Sequence, residues 1–135
     1  MTKVTIELHF PNNITADEID DYFFDLKSAG KYYITFERFA KKNAGNNNAN
    51  DASEMGLNLW QGIKLVLGTL GIKKGANDVK HLLQLLNERT KGRYYVEFVV
   101  KEKNLEIKFK GDIRNLSHIQ KLEAYLEHKK TSTNE

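Results

Sequence analysis

The sequence predicts an α+β domain in which helices cover mainly one face of a four-stranded mixed sheet. Three observations carry this prediction: segments where apolar and polar residues alternate, segments with apolar residues at helical spacing, and an opening strand–helix–strand order. The predicted element order is β-α-β, a loop, α-α and then β-β-α. With 135 residues, of which 40% are hydrophobic, the chain has the size of one domain. We expect that single domain to span residues 3–128 and a polar tail to span 129–135.

The first three elements follow from short, clear patterns. "VTIELHF", over 4–10, alternates apolar and polar residues and predicts a half-buried strand. Thr15 and Glu18 have the spacing of a capping box, which starts a helix, and Gly30 suits its C-terminal end. "KYYITFERF", starting at Lys31, is rich in aromatic and β-branched residues and predicts a second strand. Short connections favour a parallel pair of these strands with a right-handed crossover.

The middle of the chain joins its most polar tract to its most apolar one. The Asn-rich residues 43–53 predict a flexible loop, because asparagine competes with helix by bonding locally. The segment Met55–Ile72 is apolar on most sides of a helical projection, and it predicts a helix that four glycines weaken by about 1 kcal/mol each. A second helix is predicted over Val79–Leu86, where leucines recur at helical spacing.

The last third predicts a β-hairpin and a final helix. "RYYVEFVV" and "NLEIKFKG" are two alternating segments joined by a short polar connection. We expect one buried hairpin face, formed by Tyr94, Val96, Phe98 and Val100 on one strand and Leu105, Ile107 and Phe109 on the other. The final helix has an apolar stripe running from Leu116 to Leu126.

Composition excludes several classes of function. The absence of cysteine excludes disulfides, thiolate nucleophiles and cysteine metal sites. The N-terminus lacks the layout of a signal peptide, so we expect a cytoplasmic protein. As a helix, Leu57–Ile72 would span about 24 Å, less than the roughly 30 Å hydrocarbon core, and we expect no membrane association.

Candidate catalytic residues are few. Asp20 and Asp21 belong to an acidic run in the first helix, where carboxylates are also expected from the helix dipole. His118 follows Ser117, but the sequence supplies no orienting group and no oxyanion site. No histidine pair has the spacing of a helical metal site. We therefore expect a protein that is not an enzyme and that holds no cofactor or metal.

The layout resembles a family from bacterial conflict systems, the effector-associated constant component proteins. The resemblance covers most of residues 3–110. It rests on the opening strand and helix, "YYITFERF", "EMG" at Glu54–Gly56, the apolar segment after it, "NERT" at Asn87–Thr90 and the hairpin. It implies a small non-catalytic protein encoded beside effectors such as proteases, caspase-like enzymes and nucleotide-processing domains. A role in bacterial defence follows from this resemblance.

The middle segment also indicates an interaction surface. A helix that is apolar on most sides must be surrounded, and a chain of this size has little material to surround it. We therefore expect an adaptor or scaffold that forms a homo- or hetero-oligomer, by self-association or by docking an effector protein. The predicted partner-binding residues are Met55, Gly56, Leu59, Trp60 and Ile63.

The alternative function is a small nucleic-acid-binding module that uses the hairpin at 94–110. Its candidate residues are Lys101, Lys103, Lys108 and Lys110. Interleaved Glu97, Glu102 and Glu106 favour ordinary cross-strand pairing instead. The net charge of +3 also adds little support, so nucleic acid is the less favoured partner.

Overall fold

The computed structural model describes residues 3–42 and 59–132, and this part of the chain forms five strands and three helices. Their bounds, in chain order, are β1 (Val4–His9), α1 (Ala16–Ala29), β2 (Ile34–Lys42), β3 (Leu59–Leu67), α2 (Thr69–Thr90), β4 (Glu97–Glu102), β5 (Glu106–Asp112) and α3 (Leu116–Ser132). The α+β class is therefore confirmed, whereas the predicted number of strands was one too few. The predicted loop at 43–53 lies outside the described residues.

The sheet is antiparallel throughout, with strand order β2-β3-β1-β4-β5. β1 and β2 run in the same direction, but β3 lies between them and pairs with both. The predicted mixed sheet with a parallel β1–β2 pair was therefore wrong. The elements from β1 to β4 have the order of the ferredoxin-like split β-α-β motif, in which an inserted strand separates the two strands of a crossover.

The predicted helix over Met55–Ile72 was wrong, because Leu59–Leu67 forms the strand β3. Ile63, Leu65 and Leu67 are fully buried, and they alternate with the half-buried Lys64 and Val66. The sequence of a strand that is buried on one face and half-buried on the other is a nearly continuous apolar run. Periodicity alone does not distinguish such a strand from a buried helix. α2 then begins at Thr69 and also includes residues 73–78, which lie between the two helices that the sequence predicts.

Gly62 fits this strand because the sheet has no room for a side chain there. A Cβ added at Gly62 would lie 2.4 Å from the Phe39 ring and 2.5 Å from the carbonyl oxygen of Leu8. Glycine inside a strand commonly marks such a close approach. The glycine therefore supports strand packing, not helix packing.

The hydrophobic core lies between one face of the sheet and the three helices. Its fully buried members include Ile6 and Leu8 of β1, Leu65 of β3, Phe98 of β4 and Leu83 of α2. The core also includes four apolar residues of the middle segment, because Ile63, Leu65, Leu67 and Ile72 are all fully buried. Two described apolar residues of this segment keep surface outside the core, because Val66 is half-buried and Leu70 is 45% exposed.

The start of α1 was predicted correctly, and its end has a different cause. Thr15 and Glu18 form both hydrogen bonds of the capping box. Gly30 ends the helix with extended backbone, φ −77° and ψ 165°, so the left-handed conformation is not used. A Cβ at this position would lie 2.4 Å from the Phe36 ring, so ring packing explains the glycine.

The β4–β5 hairpin is confirmed, but the second strand does not face the core as predicted. Val100 pairs with Phe109 and Lys101 pairs with Ile107, so one extra residue, Lys108, bulges out of β5. The bulge reverses the alternation beyond it. Ile107 is 51% exposed, and Leu105 in the preceding turn is 68% exposed, instead of both being buried.

α3 closes the core from the same side of the sheet. Ile119, Leu122 and Leu126 are buried, whereas Leu116 is exposed at the start of the helix. The helix continues to Ser132, so the first residues of the predicted tail are helical. Among the helices within 3–42 and 59–132, none is both long and apolar enough to cross a membrane.

Candidate functional site: a basic cleft on the open sheet face

The sheet face opposite the helices, here called the open face, carries most of the charge of the sheet. Strand register places Glu37, Lys64, Glu7, Val99 and Lys110 in one row across the five strands. Side chains in one row of a sheet lie beside each other on one face. This row therefore sets opposite charges next to each other at the centre of the face.

Glu7 is the centre of a buried ionic cluster on this face. The residue is 4% exposed, and its neighbour on the face, His9, is 8% exposed. The His9 Nε2 donates to Glu7 Oε1 at 2.8 Å, and Lys101 Nζ lies 3.1 Å from Glu7 Oε2. Burial by itself would raise the pKa of Glu7, but the hydrogen bonds from His9 and Lys101 outweigh it and lower the pKa to about 2. The carboxylate is therefore charged and holds Lys101 in place.

Two further side chains pack around this cluster. The rings of His9 and Phe39 meet edge-on with centroids 5.6 Å apart. Lys64 Nζ lies 5.5 Å from the centroid of the Phe39 ring, on its face, which is a cation–π geometry. The end of the open face near His9 is thus filled by the protein's own contacts.

Stability should depend on pH through Glu7. Its folded-state pKa lies below the ordinary value of 4.5, so its contribution is present above pH 4.5 and is lost as pH falls toward 2. Between pH 7 and pH 3 the wild-type protein should lose about 2 kcal/mol more of its free energy of unfolding than Glu7→Gln does. Urea unfolding at both pH values measures this difference. Equal losses in the two proteins would contradict the assignment.

A cleft opens at the other end of the open face, next to the β4–β5 turn. Its volume is about 540 Å³, and its described lining residues are Lys3, Thr5, Lys101, Lys103, Asn104 and Leu105. Thr5 and Lys101 are register partners on β1 and β4, which places the floor of the cleft on two central strands. We call this site the basic cleft.

The basic cleft is electrostatically positive. Lys101 is paired with Glu7, whereas Lys3 and Lys103 have no ion-pair partner in the described part of the chain. Glu102, the acidic residue nearest in sequence to Lys103, is engaged elsewhere, because it accepts from Lys129 Nζ at 2.6 Å and from the Tyr125 hydroxyl at 2.5 Å. Two of the three lysines are therefore available to an anionic ligand.

The four lysines of the nucleic-acid hypothesis do not form one platform. Lys101 and Lys103 line the basic cleft, and Lys110 lies on the open face opposite Val99. Lys108 is the bulged residue. Burial by itself would raise the pKa of Glu102, but the hydrogen bonds from Lys129 and Tyr125, with a smaller contribution from the charge of Lys108, lower it. Of the interleaved acidic residues, Glu102 faces α3 and bonds Tyr125 and Lys129 of that helix.

The predicted partner-binding residues do not come together as an observed surface. Met55 and Gly56 lie outside the described residues, as do the side chains of Leu59 and Trp60, whose backbone belongs to β3. Ile63 is fully buried in the core and has no surface to offer a partner.

Two of the three candidate catalytic residues, Asp20 and Asp21, are consecutive on α1, whereas His118 lies on α3. Asp20 pairs with Arg38 of β2. The Nδ1 of His118 accepts the backbone N–H of Asp112 at 3.1 Å, which fixes the start of α3 against β5. Asp21 is exposed on α1. Within 3–42 and 59–132, no three His, Cys, Asp or Glu residues lie close enough to hold a metal ion.

Sequence reasoning missed Lys3, Thr5, Glu7 and Leu105 as members of the site. A partial signal was present, because Lys3, Thr5 and Glu7 occupy the polar positions of a strongly alternating strand. Their convergence with Lys101 and Lys103 depends on β1 pairing with β4, which the sequence does not specify. Leu105 was predicted in the core because it continues the alternation of Ile107 and Phe109, but β5 begins only at Glu106 and Leu105 lies in the turn.

Comparison with known proteins adds no identification: no family model matches the chain, and neither a curated protein nor a solved structure matches it.

Proposed function

We propose that this protein is a non-catalytic adaptor that docks an acidic segment of a protein partner in the basic cleft. The observation that carries the proposal is the pair of cleft lysines, Lys3 and Lys103, that have no described acidic partner. Charge complementarity steers association and selects partners, so a positive cleft favours a negatively charged segment. Because of the resemblance to conflict-system proteins, we propose an effector protein as the partner. An effector gene encoded beside this one would support that choice of partner, and an isolated gene would count against it.

The composition of the cleft favours a protein segment over nucleic acid. Single-stranded nucleic acid is usually held by aromatic rings that stack on bases, together with basic residues. The described lining contains no aromatic residue. Phe39 is an aromatic residue of the open face, but the strand register places it in the same row as His9. Along β1, His9 is about 13 Å from Thr5, which lies at the cleft. Leu105 instead offers an apolar contact beside the lysines, which suits a peptide.

Selection from random 12-residue peptides displayed on phage tests the proposal. Peptides that bind the wild-type protein should be rich in Asp and Glu, and Lys103→Glu should weaken their binding about tenfold or more. Lys91→Glu is the matched control. Like Lys103, Lys91 is an exposed lysine with left-handed backbone and no described ion-pair partner. It differs in position, because it lies at the end of α2 and does not line the cleft. Binding that both variants weaken equally, or peptides without an acidic excess, would refute docking in the cleft.

A salt series with the oligonucleotide dT12 tests the alternative. Contacts with phosphates release counterions, so true nucleic-acid binding weakens steeply as salt increases. We expect weak binding at low salt that Lys103→Glu and Lys91→Glu reduce alike. Tight, steeply salt-dependent binding that only Lys103→Glu abolishes would favour nucleic acid over an acidic peptide.

A further inference from the structure

The turn between β4 and β5 has backbone geometry that its residues do not favour. Lys103 has φ 56° and Leu105 has φ 66°, both in the left-handed region, and the Glu106 N–H donates to the Lys103 carbonyl at 3.1 Å to close the turn. This region suits glycine and asparagine, whereas leucine is strained there. Asn104 lies between the two strained positions and does not occupy either of them.

Burial does not compensate for the strain at Leu105. The side chain is 68% exposed, so packing in the core does not hold it in this conformation. The bulge at Lys108 turns Ile107 to the open face, two residues after Leu105. Strained backbone that no packing explains is common at binding sites, where it presents a side chain for use.

Leu105 and the lysines line the same cleft. Leu105 borders it together with Lys3, Lys101 and Lys103, and the exposed Ile107 pairs with Lys101 on the adjacent strand. An exposed leucine among cations matches a ligand that combines negative charge with an apolar side chain. An extended acidic segment that carries an aliphatic or aromatic residue has both properties.

We propose that Leu105 is the apolar anchor of the basic cleft and that the partner segment carries an apolar residue next to its acidic ones. The inference rests on the proposed function and refines it. The lysines attract and orient the segment, and contact with Leu105 removes apolar surface of both molecules from water. The proposed partner is therefore no longer any acidic protein segment, but one in which an apolar residue stands next to the acidic residues.

Leu105→Gly separates binding from folding. Glycine relieves the left-handed strain at this position, so the variant should fold with unchanged thermal stability or a slightly higher one. Its affinity for the acidic peptide selected on the wild-type protein should nevertheless fall about tenfold or more, because the apolar contact between Leu105 and the bound peptide is lost. Leu105→Asn, which also tolerates left-handed backbone, should behave in the same way.

The matched control is Lys91→Gly, which relieves the same kind of strain at the end of α2 and should leave affinity unchanged. Leu105→Gly that binds as tightly as the wild-type protein, while Lys103→Glu loses binding, would overturn the role of Leu105 and leave the adaptor proposal standing. Failure of the wild-type protein to select any acidic peptide would overturn both. Selected peptides that are acidic but contain no apolar residue would overturn the refinement alone.

Discussion

Lys101→Met should lower the free energy of unfolding by about 3 kcal/mol, whereas Lys103→Met should change it by less than about 0.5 kcal/mol. Both lysines line the basic cleft, but only Lys101 pairs with the buried carboxylate of Glu7. Removing one partner leaves a buried charge that is only partly compensated, here by His9. The pKa of Glu7 should also rise toward its ordinary range, because one of the hydrogen bonds that lower it is lost.

Urea unfolding of the two variants at pH 7 measures this contrast. The comparison separates the two roles of the cleft lysines, since Lys103→Met should weaken peptide binding without affecting the fold. Equal stability of the two variants would mean that the ion pair between Lys101 and Glu7 does not support the sheet.

Phe98→Ala should lower the free energy of unfolding by about 4 kcal/mol, because it empties a large volume in the core. The Phe98 ring is fully buried and meets the Phe109 ring edge-on, with the two ring centroids 6.3 Å apart. It also lies over Gly111, where a Cβ added to the glycine would come within 2.3 Å of the Phe98 ring. These contacts hold the β4–β5 hairpin, and therefore the turn that borders the cleft, against the core.

The matched control for this variant is Phe24→Ala, on the outer side of α1, where the ring is 69% exposed. This change should alter stability by no more than about 0.5 kcal/mol. Thermal or chemical unfolding measures both variants. A loss at Phe98 that is no greater than the loss at Phe24 would contradict the packing described for the hairpin.

Local patterns in the sequence predicted the elements whose signals are local. The strand β1, the capping box of α1 and the β4–β5 hairpin were all predicted, because alternation and capping depend on neighbouring residues. The strand β3 was misread as a helix because its partners on both sides, β1 and β2, come from distant parts of the chain. Without those partners, an apolar run with glycines fits a helix equally well.

The candidate site was less predictable than the fold for a related reason. Lys101 and Lys103 were foreseen as candidates for ligand binding, but their setting was not. The bulge at Lys108 reverses the face on which Ile107 lies, and a shift of one residue in a strand moves every later side chain to the other face. The pairing of β1 with β4, which brings Lys3 and Thr5 to the same cleft, is a property of the whole sheet.

The most direct test of docking in the basic cleft is an NMR titration of the wild-type protein with the selected acidic peptide. Backbone amide shifts should change most at Thr5 and over residues 101–105, where the cleft lining lies. Amides of α1 and of the Phe39 end of the open face should change little. Shifts that concentrate on the helices, or that spread evenly over the protein, would contradict the account.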